Sequence, residues 1–191
     1  MSEIKVPVGI SNRHVHLAQA DLEALFGKGH QLTPVKDLSQ PGQFSCEETV
    51  TLIGPKGSIS RVRILGPVRS ASQVEISKTD CFALGLTPPI RDSGSLSGSP
   101  GITLQGPSGK IELKEGVIIA QRHIHLQTDE AAQLGLKDKE LVSVKFTGDR
   151  ETTFGNVLIR VNPNFKMDMH IDTDEANAAG LSNGDWGIVI K

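Results

Sequence analysis

At 191 residues with 37% hydrophobic content, the chain is long enough to bury a real core, as one large domain or two small intimate ones. Twenty Lys plus Arg against 22 Asp plus Glu give a formal charge of -2, which leaves no basic excess for a phosphate backbone and argues against a nucleic-acid partner. No stretch approaches the roughly 20 apolar residues of a membrane span, and MSEIKVPVGI lacks the apolar core of a signal peptide, so a cytoplasmic protein without a membrane partner is expected.

Aromatic content of 4% with no Tyr, 20 Gly and many Val/Ile runs predict a mainly β fold with short α-helices. In chain order, residues 8–27 read as an apolar strand, then Arg-His-x-His-Leu, then a short Ala/Leu-rich helix ending at Gly. Residues 26–43 are loop-like, with a small hairpin insertion expected near 27–47. VEISKTDCFALGL (74–86) repeats the strand, acidic turn, helix and Gly-Leu in degraded form. TPPIRDSGSLSGSPG (87–101) is Pro/Gly/Ser-rich and reads either as a linker or as an ordered loop lining a site. IIAQRHIHLQTDEAAQLGL (118–136) restores the full motif, and MHIDTDEANAAGL (169–181) is a fourth copy. Thr128 and Thr173 are expected helix N-caps, and Gly135 and Gly180 left-handed C-terminal residues. Units of strand, turn and short helix of this kind assemble into small barrels. Cys46 and Cys81, far apart and in no CxxC arrangement, are expected to be reduced and structural.

Side chains two apart on an extended strand share a face, so His14 with His16 and His123 with His125 can each chelate one metal. The repeat extends the set: Glu75 and His170 stand where the first His of each pair stands. Five of the six His thus fall at equivalent strand ends, and His30, in a Gly-flanked loop, is expected to be exposed. Imidazole and carboxylate donors without thiolate suit Zn, with Fe, Ni or Co as competitors. Three protein ligands per ion leave open positions, as in catalytic sites. Arg69, six residues before Glu75, offers a fork for phosphate or carboxylate, or else is a surface ion pair. Arg13 and Arg122, beside the His pairs, point to the opposite strand face and are expected to brace the structure.

Through SNRHVHL, GPVRSASQVEIS, the RDSG loop, QRHIHL and the MDMHIDTDEAN segment, the chain resembles the PduL-type phosphotransacylases, the phosphate propanoyltransferase family, over nearly its whole length. The resemblance implies reversible exchange of a short acyl group, acetyl or propanoyl, between CoA and inorganic phosphate at a dinuclear zinc site. It implies two small β-barrels capped by helices: residues 1–12 with 121–191, and residues 13–120. One zinc would be bound by His14, His16 and Glu75, the other by His123, His125 and His170, with Arg69 on phosphate. Ser93 would be a substrate contact or simply a turn residue. Acyl-CoA and phosphate would be the partners, and a homodimer the assembly. Microcompartment members of this family typically begin with an amphipathic helical extension, whereas here only MSEIK precedes VPVGIS, which counts against encapsulation. The rival readings are a zinc-dependent thioesterase or phosphoesterase, since open zinc ions can also activate water, and a non-enzymatic zinc-sensing or structural protein.

Overall fold

The computed structural model describes residues 3–191, and the chain is mainly β with four short helices among them. The first half runs β1 (Ile4–Ser11), β2 (His14–His16), α1 (Gln19–Phe26), β3 (Pro34–Asp37), β4 (Phe44–Ile53) and β5 (Ser58–Gly66). It continues through β6 (Gln73–Glu75), α2 (Lys78–Leu84), β7 (Ile90–Arg91), β8 (Ile102–Gln105), β9 (Lys110–Leu113) and β10 (Val117–Ala120). The second half is β11 (His123–Leu126), α3 (Thr128–Leu134), β12 (Leu141–Phe146) and β13 (Thr152–Val161). It ends with β14 (Asp168–Asp172), α4 (Thr173–Ala179) and β15 (Trp186–Ile190).

These elements form two compact units. The first takes the chain up to Ser11, Ser39–Pro41 and Gln121–Lys191, and the second takes Asn12–Leu38 and Gly42–Ala120. The first unit is a closed six-stranded barrel, ordered β1-β14-β11-β13-β12-β15. Alternation sends Ile124, Leu126, Ile159, Met169 and Ile171 into its core, where they meet Val6, Val8, Val144 and Phe146. The second unit is barrel-like but open, a nine-stranded sheet with β7 and β9 at the ends of its path and β3 paired to β4. Its core gathers Val15, Leu22, Leu25, Val50, Leu52, Ile64, Val74 and Leu104. In both units the residues alternating with these core positions on β2, β6, β11 and β14 carry the His, Gln, Glu and Asp side chains discussed below.

Helix ends follow the repeat closely. Gly85, Gly135 and Gly180 take left-handed conformations (φ 73, 62 and 67°) that a side chain would strain, and each N–H returns to the last helical turn. The N-caps lie one residue earlier than expected: Gln127 and Asp172, not Thr128 and Thr173, hold the extended cap conformation and accept from Glu130 N and Glu175 N. Ser77 caps α2 in the same way, and all three form capping boxes with the acid three residues on. Two of those acids also receive the arginines beside the His pairs. Arg13 bonds Asp80 at 2.7 and 2.8 Å, and Arg122 bonds Glu175 at 2.7 Å. Each pair ties a His-bearing strand to the helix after its neighbouring strand, the bracing role expected of these arginines.

His30 corrects an expectation, since it is half-buried rather than exposed. Its ring stacks on Phe26 and its Nε2–H donates to the buried Glu48 carboxylate at 2.9 Å. Burial works to raise the Glu48 pKa, but the Thr33 N–H and hydroxyl and the His30 ring outweigh it and hold the carboxyl below its ordinary value. A depressed folded-state pKa stabilises the fold above the unfolded value of about 4.3 and is lost as pH falls below it. Glu48→Gln should therefore cost about 1–3 kcal/mol at neutral pH. Urea denaturation should show that difference shrinking once the pH drops below about 4.

Candidate functional site

Each unit builds its polar cluster from one HxH strand and one antiparallel neighbour. In the second unit β2 runs against β6, with His14 opposite Glu75 and His16 opposite Gln73. In the first, β11 runs against β14, with His123 opposite His170 and His125 opposite Asp168. Because strand residues two apart share a face, the two strands present a four-cornered polar patch in each unit. Three corners offer ligand atoms within 4.8 Å of one another: His14, His16 and Glu75 in one patch, His123, His125 and His170 in the other. All six residues singled out by the repeat thus come together, three to a unit.

Whether these groups fit a metal can be judged from their hydrogen bonds. The Nδ1–H groups of His14, His16 and His123 donate to the carbonyls of Asn12 (2.9 Å), Leu65 (3.2 Å) and Gln121 (2.7 Å). That assignment leaves the Nε2 lone pair of each ring available, the orientation in which a histidine ligates. His14 Nε2 lies 3.5 Å from Glu75 Oε2. His123 Nε2 and His125 Nε2 are 3.0 Å apart, and His125 Nδ1 is buried with no hydrogen-bond partner among the described residues. Whichever nitrogen of His125 carries the proton, one buried nitrogen goes unsatisfied or two lone pairs face each other. A cation between the two Nε2 atoms turns facing lone pairs into ligand bonds, though His125 Nδ1 stays without a partner among the described residues; the imidazole and carboxylate donor set fits a metal ion such as zinc.

Electrostatics keep His16 and His125 neutral. Burial first, then the neighbouring His14 and Arg69, hold His16 at a pKa of about 3. Burial with His123, His170 and Arg160 holds His125 at about 2. His14 differs, because burial lowers its pKa but the Glu75 carboxylate outweighs that and raises it overall. A neutral imidazole binds a metal without first losing a proton.

Arg69 is placed beside the second unit's patch by its own backbone. Its N–H donates to Leu17 O at 2.8 Å, just beyond β2, and Ala18 pairs with it in an isolated bridge. Its guanidinium donates to Ser93 Oγ at 3.2 Å, and Ser93 Oγ donates to Glu75 Oε1 at the same distance. The RDSG segment is therefore an ordered loop against Glu75, not a linker. Gly94 N–H bonds Gln73 Oε1 at 2.8 Å and completes its attachment.

Four further residues entered through tertiary contacts rather than motif. Gln73 and Asp168 fill the fourth corners of the two patches, and both share the strand period of a candidate ligand two residues on. Ser39 Oγ lies 3.1 Å from His170 Nε2, and Gln40 clamps the Lys166 backbone at 2.8 and 3.2 Å. Those contacts span 126 to 131 residues of chain, a separation at which local patterns carry no signal.

The class to which the chain belongs, the phosphotransacylases, enzymes of acyl transfer, is shown by its likeness to known proteins. A family model for phosphate propanoyltransferase matches residues 7–182, and the chain belongs to that family. Among its relatives, the phosphate propanoyltransferase of Thermotoga maritima is 56% identical over 185 residues, covering 96% of this chain and 88% of that protein. Those of Priestia megaterium and Salmonella typhimurium are 56% and 53% identical over 184 residues. They cover 96% of this chain and 85% and 87% of theirs.

Proposed function

We propose that the chain reversibly exchanges a short acyl group, acetyl or propanoyl, between CoA and inorganic phosphate, using two zinc ions per chain. His14, His16 and Glu75 would hold one ion, and His123, His125 and His170 the other. The observation that carries the reading is Arg69, a fixed guanidinium one hydroxyl away from the Glu75 carboxylate in the same unit. A guanidinium there matches the fork geometry of a phosphate acceptor.

When bound, zinc supplies Lewis-acid polarisation of the thioester carbonyl and stabilises thiolate character on sulfur. The side chains do the rest. Arg69 binds and orients phosphate, and the Ser93 hydroxyl, already on Arg69, offers it a further hydrogen bond. A phosphate oxygen then attacks the thioester carbon; the new C–O bond forms, the C–S bond breaks, and the phosphate's proton leaves with CoA as its thiol. No side chain serves as nucleophile. Both cysteines are buried: burial first, then Glu48, pushes the Cys46 thiol up to about 11, and Cys81 Sγ donates to Ser77 O. The reading takes the enzyme to be a cytoplasmic homodimer, twofold dimers being the commonest symmetric assembly, which light scattering would test.

The deciding experiment measures thiol release from acetyl-CoA and propanoyl-CoA with and without phosphate. Release that requires phosphate and yields acyl phosphate is expected. Equal release without phosphate would make the chain a thioesterase.

A further inference from the structure

We propose that Gln73 and Asp168 are equivalent positioning residues, each holding the third ligand of its unit in the orientation that meets the metal. The inference rests on the zinc reading above. It starts from register: Gln73 opposes His16 on β6 as Asp168 opposes His125 on β14, so both stand two residues before the third ligand on the same strand face. Both are deeply buried, Gln73 at 1% and Asp168 at 6% exposure, where a polar group persists only with partners. In each case that partner is the third ligand.

The chemistry of each pair is matched to its ligand. Glu75 is a carboxylate and receives a donor, Gln73 Nε2–H to Oε1 at 2.5 Å. The amide cannot turn over, because its Oε1 accepts the Gly94 N–H and its Nε2 also donates to Ser93 Oγ at 2.8 Å. Gln73 and Ser93 both engage Oε1, which turns Oε2 toward His14, the direction in which the ion would be met. His170 is an imidazole and receives an acceptor, its Nε2–H donating to Asp168 Oδ2 at 3.0 Å, which leaves the Nδ1 lone pair. A carboxylate behind a ligating histidine fixes both tautomer and ring angle. Gly9 keeps room for this second pair. It lies opposite His170 on β1, and a Cβ there would come within 3.0 Å of both Asp168 Oδ2 and His170 Cδ2.

The test follows zinc extraction from the zinc-loaded full chain by a graded chelator series, with melting of each variant as the check on folding. Gln73→Met and Gln73→Glu should each loosen one of the two ions by about 10- to 100-fold and leave the other unchanged. Asp168→Asn and Gly9→Ala should do the same to the other ion. Should Gln73→Met fail to fold, the near-isosteric Gln73→Glu carries the comparison. Site assignment comes from a His170→Ala background that keeps only the second unit's ion: Gln73→Glu should weaken that ion, and Asp168→Asn should not. Variants that fold and keep wild-type affinity for both ions, or that weaken both ions together, overturn the inference while leaving the zinc reading in place. A wild-type chain that binds no zinc overturns that reading, and the inference falls with it.

Discussion

Glu75→Gln and His170→Ala should each lose close to one of two zinc equivalents and nearly all phosphate-dependent CoA release. The expectation follows from ligand count, since the candidate group in each unit comprises three donor atoms within 4.8 Å of one another among the described residues. Removing one leaves two, which weakens an ion far more than the 10- to 100-fold typical of losing an outer hydrogen bond. Gln in place of Glu75 keeps the shape and the contact with Gln73 but surrenders the charge. Ala in place of His170 removes the ring against which His123 and His125 pack edge-on. His30→Ala is the informative control. It deletes a histidine bonded only to structure, and should cost about 1 kcal/mol of stability while both zinc ions and turnover remain. Elemental analysis beside a thiol-release assay reads all three. If His30→Ala strips the metal while the other two keep both ions and activity, the repeat has assigned the wrong ligands.

Much of this was legible because the informative signals are local. An HxH pair needs only the strand period to put two rings on one face, and four strand-turn-helix copies mark where Glu75 and His170 stand. Helix ends were legible for the same reason, with Gly135 and Gly180 left-handed as their place after Ala/Leu-rich turns implies. The caps slipped by one residue because Thr is itself a good cap. What decides is which side chain sits on the extended residue and reaches back to the third helical N–H, and here Gln127 and Asp172 do so. Closure of the second barrel was not legible. Whether the last strands of a sheet meet depends on twist and length summed over every strand, and β7, with two residues, ends that path unpaired on one side. Gln73 and Asp168 stayed hidden for a related reason. Their meaning depends on antiparallel register against β2 and β11, which no single segment contains.

Arg69→Ala should lower kcat/KM for phosphate by about 10- to 100-fold, chiefly through KM, with zinc content unchanged. The magnitude is that of charge-assisted hydrogen bonds lost from a bound anion, about 1.5–3 kcal/mol. Metal should stay because the Ser93 hydroxyl, which Arg69 contacts, keeps its own bonds to Gln73 and Glu75 when the guanidinium is gone. Its backbone anchor, the N–H to Leu17 O, also survives truncation, so β2 and its histidines have no cause to move. Arg69→Lys separates charge from shape. A lysine restores the positive charge as a point but not the planar fork, so a partial recovery of the phosphate KM is expected, and full recovery would mean that charge alone matters. The KM for acyl-CoA should hold steady in both variants, because the group assigned to Arg69 is the acceptor rather than the donor. An acyl-CoA KM that rises while the phosphate KM does not would move Arg69 to the CoA side of the reaction, and loss of zinc in Arg69→Ala would make it a structural brace of β2 instead.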